Sequence, residues 1–117
     1  MRLTSVTVGC ARPRELAEFY ARLLGADVAE AEPRWALVRT PDGLAVNFEL
    51  EREFTPPVWP STRSGQNATQ HLDIEVEDLE AATGHALACG AVLAPVQPQP
   101  GVRVLFDPDG HPFCLFT

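Results

Sequence analysis

The chain has 117 residues, of which 45% are hydrophobic and 21% charged, a composition that predicts one globular domain large enough to bury a core. Its formal net charge of -7 argues against a nucleic-acid surface, because such surfaces need clustered Lys and Arg. No apolar run is long enough for a membrane span or a signal peptide, and three cysteines without CxxC spacing favour a reducing compartment, so we expect a cytoplasmic protein.

The first part of the chain predicts one βαβββ unit. Residues 3–9 alternate and are rich in β-branched side chains, which is typical of a strand. Pro13 suits the first turn of a helix, and an apolar stripe at helical spacing runs from Leu16 to Leu23 before Gly25 ends the helix. Three further strands are predicted at residues 26–31, 34–40 and 44–50.

A segment rich in Pro, Ser, Thr and Gly follows at residues 51–69, and it is long for a simple connection. It is predicted to be either a linker or a functional loop. Trp59, which lies among its prolines, has two interpretations. It is either an aromatic lid over a flat ligand or a hydrophobic plug that anchors the loop on the core.

The second part of the chain predicts the same order of elements. Residues 70–77 alternate strictly, Asp78 is a good helix N-cap, and Gly90 closes the helix. The buried side of this helix is predicted at Leu79, Ala82, Ala86 and Cys89. The unit is completed by strands near residues 91–95, 101–106 and 112–116. The prolines between the first two of these strands predict an extended loop at residues 95–100.

The two units share one sequence pattern. Residues 34–49 and 101–116 each read as a strand, a Pro-Asp-Gly turn and a second strand, and the two turns lie 67 residues apart. We therefore predict an α+β fold of two βαβββ modules in a pseudo-two-fold arrangement, with any pocket lined by both modules. The single predicted domain consists of module one at 1–50, the connecting loop 51–69 and module two at 70–117.

Three segments give the chain a resemblance to a known superfamily, namely residues 18–20, 71–76 and 107–115. With these segments the chain resembles the vicinal oxygen chelate superfamily, which includes glyoxalase I, bleomycin-resistance proteins and ring-cleaving dioxygenases. Its pattern is most similar to the small bacterial glyoxalase-like domains. The resemblance implies a curved sheet with a central cleft, helices on the outside, a site on the inner face, and a homodimer.

The resemblance also implies where a metal site would lie. Metal-using members place His, Gln or Glu ligands in the first and last strands of each module. The internal repeat puts these four positions at Leu3, Asn47, His71 and Cys114. Leu3 cannot coordinate a metal and Asn47 is a weak ligand, so we expect no family-type metal site and no cofactor. The alternative is a divalent metal with Glu49, on the same strand face as Asn47, as a further ligand.

Strand alternation places the site without using the resemblance. Leu72, Ile74 and Val76 form one apolar face of their strand, so His71 points to the opposite face. The same reasoning in the other strands predicts one concave wall that contains His71, Cys114, Asn47, Leu3, Ser5 and Phe116.

Each chemical candidate has an alternative interpretation. His71 is either a ligand-binding or acid–base residue, or a polar side chain that only bonds a neighbour. Asp73 and Glu75 are either paired carboxylates for acid–base chemistry or an exposed strand face. Cys114 is either a nucleophile activated by His71 or a small half-buried apolar residue.

Three functional hypotheses follow. The first is a metal-free protein of the glyoxalase and bleomycin-resistance type that binds a small molecule between the modules. Its polar anchors would be His71, Asn47 and Glu49, and its aromatic walls Trp59 and Phe116. The second is an enzyme, either a metal-dependent lyase, isomerase or dioxygenase with a rearranged site, or a metal-free acid–base enzyme that uses His71. The third is a dimerisation or regulatory module without a ligand.

Overall fold

The computed structural model describes all 117 residues, which divide into two compact units, 1–54 and 55–117. Each unit contains one helix and one four-stranded mixed sheet in the order βαβββ. The predicted α+β fold with two similar modules is therefore confirmed. Neither helix is long and apolar enough to cross a membrane.

The first unit places its first and last strands side by side. Its elements are β1 (Ser5–Cys10), α1 (Pro13–Leu24), β2 (Asp27–Glu32), β3 (Trp35–Arg39) and β4 (Ala45–Leu50). The sheet order is β1-β4-β3-β2, in which β1 and β4 are parallel and the other pairs are antiparallel. The parallel pair brings Thr7 of β1 beside Asn47 of β4.

Two residues explain where α1 begins and ends. Pro13 lies in the first turn, where its missing N–H costs no hydrogen bond, and Gly25 ends the helix in the left-handed conformation at φ 62°. Phe19 and Tyr20 lie on the buried side, and the Tyr20 ring stacks on Phe48 of β4 with 5.3 Å between ring centroids. Burial of a large apolar side chain stabilises the fold by roughly 1.5–3 kcal/mol, so these aromatic residues form the core of the first unit.

The second unit repeats this arrangement. Its elements are β5 (Leu72–Glu75), α2 (Leu79–Cys89), β6 (Val92–Leu93), β7 (Val102–Phe106) and β8 (Pro112–Phe116). The sheet order is β5-β8-β7-β6, and β5 is parallel to β8. β6 is shorter than the predicted strand. The Ala94 N–H still reaches the Val104 carbonyl at 3.0 Å, but Pro95 has no N–H to continue the pairing.

The ends of α2 follow the prediction, whereas its burial does not. The Asp78 carboxylate accepts a hydrogen bond from the Ala81 N–H at 3.0 Å, and Gly90 ends the helix at φ 113°. Of the predicted buried positions only Ala86 is fully covered, and the others are half-buried. The reason is that α2 packs mainly on β7 and β8 with small side chains, whereas α1 packs on three strands with aromatic ones.

The two Pro-Asp-Gly turns have the same backbone geometry. The Gly43 N–H donates to the Thr40 carbonyl at 2.9 Å, and the Gly110 N–H donates to the Asp107 carbonyl at 2.9 Å. Both glycines have positive φ, 89° at Gly43 and 95° at Gly110, a region that disfavours side chains. The repeat seen in the sequence is therefore also a repeat of backbone structure.

Residues 55–69 form a hydrogen-bonded loop of the second unit. The Asn67 side chain accepts from the Thr62 N–H at 2.8 Å and donates to the Thr62 carbonyl at 2.6 Å. The Trp59 ring lies edge-on to Phe106, with 6.4 Å between ring centroids. The segment is therefore an ordered loop, and a functional role for it stays a prediction.

Candidate functional site

The neighbouring parallel strands β5 and β8 present the polar side chains of the site. Along β8, Phe113 and Leu115 are buried, whereas Cys114 and Phe116 are half-buried, because successive side chains point to opposite faces. The strand register pairs Asp73 with Cys114. These two side chains are therefore neighbours on the less buried face of the sheet.

His71 immediately precedes β5 and joins Asp73, since residues two apart on an extended chain share a face. Its Nε2 is 3.3 Å from Asp73 Oδ1, and the two side chains are 51% and 60% exposed. The nitrogen, oxygen and sulfur atoms that His71, Asp73 and Cys114 offer all lie within 4.8 Å of one another. We call these three side chains the β5–β8 cluster.

The Cys114 thiol is favoured in its protonated form. Burial raises the pKa of the thiol, and Asp73 raises it further through its negative charge and through a hydrogen bond. A protonated thiol is a poor nucleophile, because the thiolate is the reactive form. The environment is therefore opposite to the one that an activated nucleophile would need.

The β5–β8 cluster lines one side of a pocket of about 580 Å³ in the second unit. Residues 99–102 form another part of its lining, together with Phe116 and Thr117. Phe116 and Val102 supply apolar surface beside the polar cluster. Pockets for small organic ligands usually measure about 300–1,000 Å³ and combine apolar walls with a few polar groups. This pocket has both properties.

Side chains bonded to the backbone fix the loop that forms the pocket wall. The Gln97 side chain donates to the Val104 carbonyl and accepts from the Val104 N–H, both at 2.9 Å. Nη1 of Arg103 donates to the carbonyls of Pro100 and Val102 at 2.9 and 3.0 Å. These contacts hold the proline-rich loop against β7.

The first unit has a counterpart of the Asp73–Cys114 pair. Thr7 and Asn47 are paired across β1 and β4 in the same way, and Asn47 Nδ2 donates to Thr7 Oγ1 at 3.3 Å. The Oδ1 atom of Asn47 is buried and has no hydrogen-bond partner. An amide and a hydroxyl thus stand where the second unit has a thiol and a carboxylate.

The strand register changes which first-unit residue corresponds to His71. The residue two positions before Thr7 is Ser5, so Ser5 and not Leu3 is the first-unit counterpart of His71. Leu3 lies before β1 and is 82% exposed. The sequence alignment of the two first strands was therefore wrong by two residues. Strand alternation cannot detect a shift of two residues, because such a shift leaves every side chain on the same face of the sheet.

The structure brings three of the predicted site residues into one pocket, His71, Cys114 and Phe116. Trp59 lies elsewhere in the second unit, where it packs on Phe106 and does not line the pocket. The first unit carries the remaining predicted residues, whose position beside the pocket stays a prediction: Leu3, Ser5, Asn47 and Glu49.

Asp73 and residues 99–102 line the pocket but are absent from the predicted wall. The available signal for Asp73 was its spacing of two from His71, which puts both side chains on one face. Residues 99–102 carry no periodic pattern. Their position depends on side-chain bonds from Gln97 and Arg103, which the sequence alone does not reveal.

A second pair of a histidine and a carboxylate lies in the turn before β8. His111 Nδ1 is 2.8 Å from Oδ2 of Asp107, whose residue is 3% exposed. Asp107 Oδ1 also accepts the backbone N–H groups of Asp109 and His111, each at 3.0 Å. These bonds join the carboxylate to the turn itself, so the pair fixes the approach to β8.

The positions at which the superfamily resemblance implies metal ligands carry a poor set of donors in each unit. By strand register they hold a hydroxyl and an amide in the first unit, from Ser5 and Asn47, and an imidazole and a thiol in the second, from His71 and Cys114. Hard divalent cations prefer carboxylate and carbonyl oxygen, and neither pair offers a carboxylate, so neither fits such an ion. The β5–β8 cluster is a different set, because Asp73 replaces the weak oxygen donors. Its nitrogen, oxygen and sulfur donors are those found in zinc sites.

Comparison with known proteins covers almost the whole chain. A family model described as a glyoxalase-like domain matches residues 5–116. A solved structure of a possible glyoxalase from Bacillus cereus is similar in fold, with 16% identity and a TM-score of 0.74 over 100% of this chain and 99% of that one. Among curated proteins, none matches the sequence significantly.

Fosfomycin resistance proteins named FosX share the fold as well. The protein from Mesorhizobium loti has 16% identity and a TM-score of 0.72 over 99% of this chain and 91% of that one. A mutant of the Listeria monocytogenes protein, complexed with Mn(II) and 1S,2S-dihydroxypropylphosphonic acid, has 16% identity and a TM-score of 0.70 over 98% and 88% of the two chains. At these identities the likeness concerns the fold.

Proposed function

The chain belongs to the glyoxalase-like domain family of the vicinal oxygen chelate superfamily, and on that basis we propose that it binds a small organic molecule without using a family-type metal site. The observation that carries the proposal is the pocket of about 580 Å³ in the second unit. A polar cluster and an apolar aromatic wall meet there, as small-ligand sites require.

Residues of the pocket have distinct proposed roles. His71 and Asp73 orient polar groups of the ligand, and Phe116 stacks on or packs against its apolar part. Cys114 donates a weak hydrogen bond. Ser5, Asn47 and Glu49 from the first unit, together with Leu3, are proposed as further contacts: they are carried over from the site residues predicted by the sequence. Trp59 is not among them, because it packs on Phe106 and does not line the pocket.

Charge favours one class of ligand. The listeria protein named above binds a phosphonic acid, whereas this chain carries a net charge of -7 and places the Asp73 carboxylate at the pocket. A carboxylate next to a dianionic ligand is repulsive in a partly desolvated pocket. We therefore expect neutral or cationic aromatic molecules to be preferred over phosphonates.

A thermal-shift screen with neutral, cationic and anionic aromatic compounds tests this proposal. Hits should be enriched among neutral and cationic compounds, and His71→Ala and Phe116→Ala should each weaken their binding about tenfold or more. His85→Ala is the matched control, because His85 is exposed on α2 and outside the pocket. A hit that binds both pocket variants as well as the unmodified chain would place the ligand elsewhere and refute the assignment.

An enzyme is the second candidate, and the pairing of His71 with Asp73 at 3.3 Å favours it. A carboxylate beside an imidazole orients the ring, which suits an acid–base residue. Turnover of a bound compound, followed by mass spectrometry and lost in Asp73→Asn with binding retained, would establish this function over simple binding.

We also propose a homodimer in a reducing cytoplasm. The dimer is carried over from the superfamily resemblance, and the compartment is supported by three cysteines that form no disulfide. Light scattering coupled to gel filtration should give twice the chain mass of 12.8 kDa. A mass equal to one chain across micromolar concentrations would contradict the dimer.

A further inference from the structure

We propose that His71, Asp73 and Cys114 bind one thiophilic divalent metal ion, of the zinc class, entirely within the second unit. The site goes beyond the binding of an organic molecule and does not depend on it. It rests on Asp73 and Cys114 from the parallel strands β5 and β8 and on His71, which immediately precedes β5, with their donor atoms within 4.8 Å of one another.

Strand geometry explains why these three donors converge. Asp73 and Cys114 face each other across β5 and β8, and His71 lies two residues before Asp73 on the same face. Zinc bonds of about 2.0–2.3 Å at the tetrahedral angle separate neighbouring donors by about 3.3–3.8 Å. The distance from His71 Nε2 to Asp73 Oδ1 is already 3.3 Å. Both side chains are exposed, so they can change rotamer to bring their donor atoms into tetrahedral positions around an ion.

Charge balance supports an ion at this position. A neutral imidazole, a carboxylate and a thiolate together carry two negative charges, which a divalent cation neutralises. Ligation deprotonates a coordinating thiol, which supplies the second of these negative charges. The net charge of the chain, -7, favours the approach of cations in general.

The donor set differs from the superfamily pattern in two of its three members. Asp73 occupies none of the four superfamily positions, and Cys114 offers sulfur where His, Gln or Glu is the usual ligand. Thiolate ligands select soft and borderline ions, whereas oxygen-rich sites suit Mn²⁺ and Mg²⁺. The chain should therefore prefer Zn²⁺ or Co²⁺ to Mn²⁺, the ion in the listeria structure.

Three protein ligands leave the ion with room for a fourth. Zinc sites with three protein ligands keep the remaining position for water or for a ligand, unlike closed structural sites. The same three side chains line the pocket of the second unit. A metal-binding group on a small molecule would then reach the ion from the pocket, and affinity for chelating compounds would rise with zinc bound.

Cobalt titration of the chelator-treated full chain provides the test. Co²⁺ should bind with about one equivalent and produce the near-ultraviolet absorption of a thiolate–cobalt bond, Zn²⁺ should displace it, and excess Mn²⁺ should not. Cys114→Ser should abolish the thiolate absorption. His71→Ala and Asp73→Asn should each weaken cobalt binding about tenfold or more, while circular dichroism shows that the variants remain folded.

Cys89→Ser is the matched control, because α2 carries the other close cysteine–histidine pair. Cys89 Sγ lies 3.7 Å from His85 Nε2, at the i,i+4 spacing of a helix. The control should keep the full absorption. The proposal is overturned if the absorption disappears in Cys89→Ser and persists in Cys114→Ser, or if neither cobalt absorption nor a zinc-induced thermal shift is seen with the unmodified chain.

Discussion

Cys114 has a raised pKa because it is half-buried and because the Asp73 carboxylate lies beside it. At a given pH its thiolate fraction is therefore smaller than that of an ordinary cysteine. The consequence is low chemical reactivity in the absence of a metal ion. Burial and the neighbouring carboxylate thus both disfavour the thiolate, the reactive form of this cysteine.

Alkylation with iodoacetamide in the presence of a chelator checks this effect. In a Cys89→Ser background, Cys114 should react slowly near pH 8 and faster as pH rises, because the thiolate forms only at higher pH. Asp73→Asn removes the negative charge and lowers the thiol pKa, so it should accelerate alkylation about three- to tenfold at the same pH. An unchanged or slower rate in Asp73→Asn would contradict the assigned influence of the carboxylate.

Gly43 and Gly110 occupy equivalent positions in the two Pro-Asp-Gly turns, so the effects of alanine at these two positions on the free energy of unfolding can be compared. A Cβ at Gly110 would lie 2.9 Å from the Pro56 Cβ, whereas a Cβ at Gly43 would meet nothing within 4 Å. Both have positive φ, so alanine adds backbone strain of about 1–2 kcal/mol at each. Gly110→Ala should cost about 1–3 kcal/mol more than Gly43→Ala, because it also disturbs the contact with Pro56.

Urea unfolding of the two glycine variants measures this difference. The comparison separates the close contact from the backbone strain, since the strain is common to both positions. Equal losses of unfolding free energy would show that the 55–69 loop does not press against the turn.

At the scale of the elements, the backbone pairing of the edge strand β6 with β7 ends early, and a side chain takes over the next hydrogen bonds to β7. The Gln97 amide bonds both backbone groups of Val104, a residue that is 2% exposed. It thereby satisfies buried polar groups and fixes the loop that forms the pocket wall. A buried N–H or carbonyl that loses its partner costs about 1–3 kcal/mol.

Gln97→Ala should therefore lower the free energy of unfolding by about 1–3 kcal/mol and should also weaken ligand binding, because the wall loses its attachment. Gln99→Ala, which changes a nearby exposed side chain, should alter stability by no more than about 0.5 kcal/mol. Chemical denaturation of both variants gives the comparison. Equal stability of the two would contradict the bridging role of Gln97.

The elements themselves were largely predictable from the sequence, because local signals specify them. Gly25 and Gly90 end the helices and Asp78 caps the second helix, as their residue types indicate. The burial of α2 was not predictable to the same degree. Its alanines match a helical stripe, but the number of strands beneath a helix depends on tertiary packing.

At the scale of the whole molecule, the repeated βαβββ unit accounts for both the fold and the position of the site. The two sheets have the same strand order and the same parallel pair of first and last strands. The two units differ in the side chains at equivalent positions of these pairs. Thr7 and Asn47 are neutral, whereas Asp73 and Cys114 are ionisable.

The sequence predicted one wall that contains His71, Cys114 and Phe116, and the structure places all three in the lining of one pocket, because strand alternation specifies the face on which each lies. It did not include Asp73 in the site, although the same alternation puts it on that face, because exposed strand carboxylates are usually solvated. It also paired Leu3 with His71, where the strand register pairs Ser5. Register depends on how strands pair in the folded protein. The alternating pattern of a strand repeats every two residues, so it cannot distinguish registers that differ by two.

Amide NMR of the isotope-labelled chain during titration with small aromatic fragments tests the central claim most directly, because it reports every backbone N–H group at once. We predict that the shifted amides cluster in residues 71–76, 99–103 and 113–117, around the pocket of the second unit. Fragment binding that leaves these three segments unshifted and moves amides elsewhere would contradict the account.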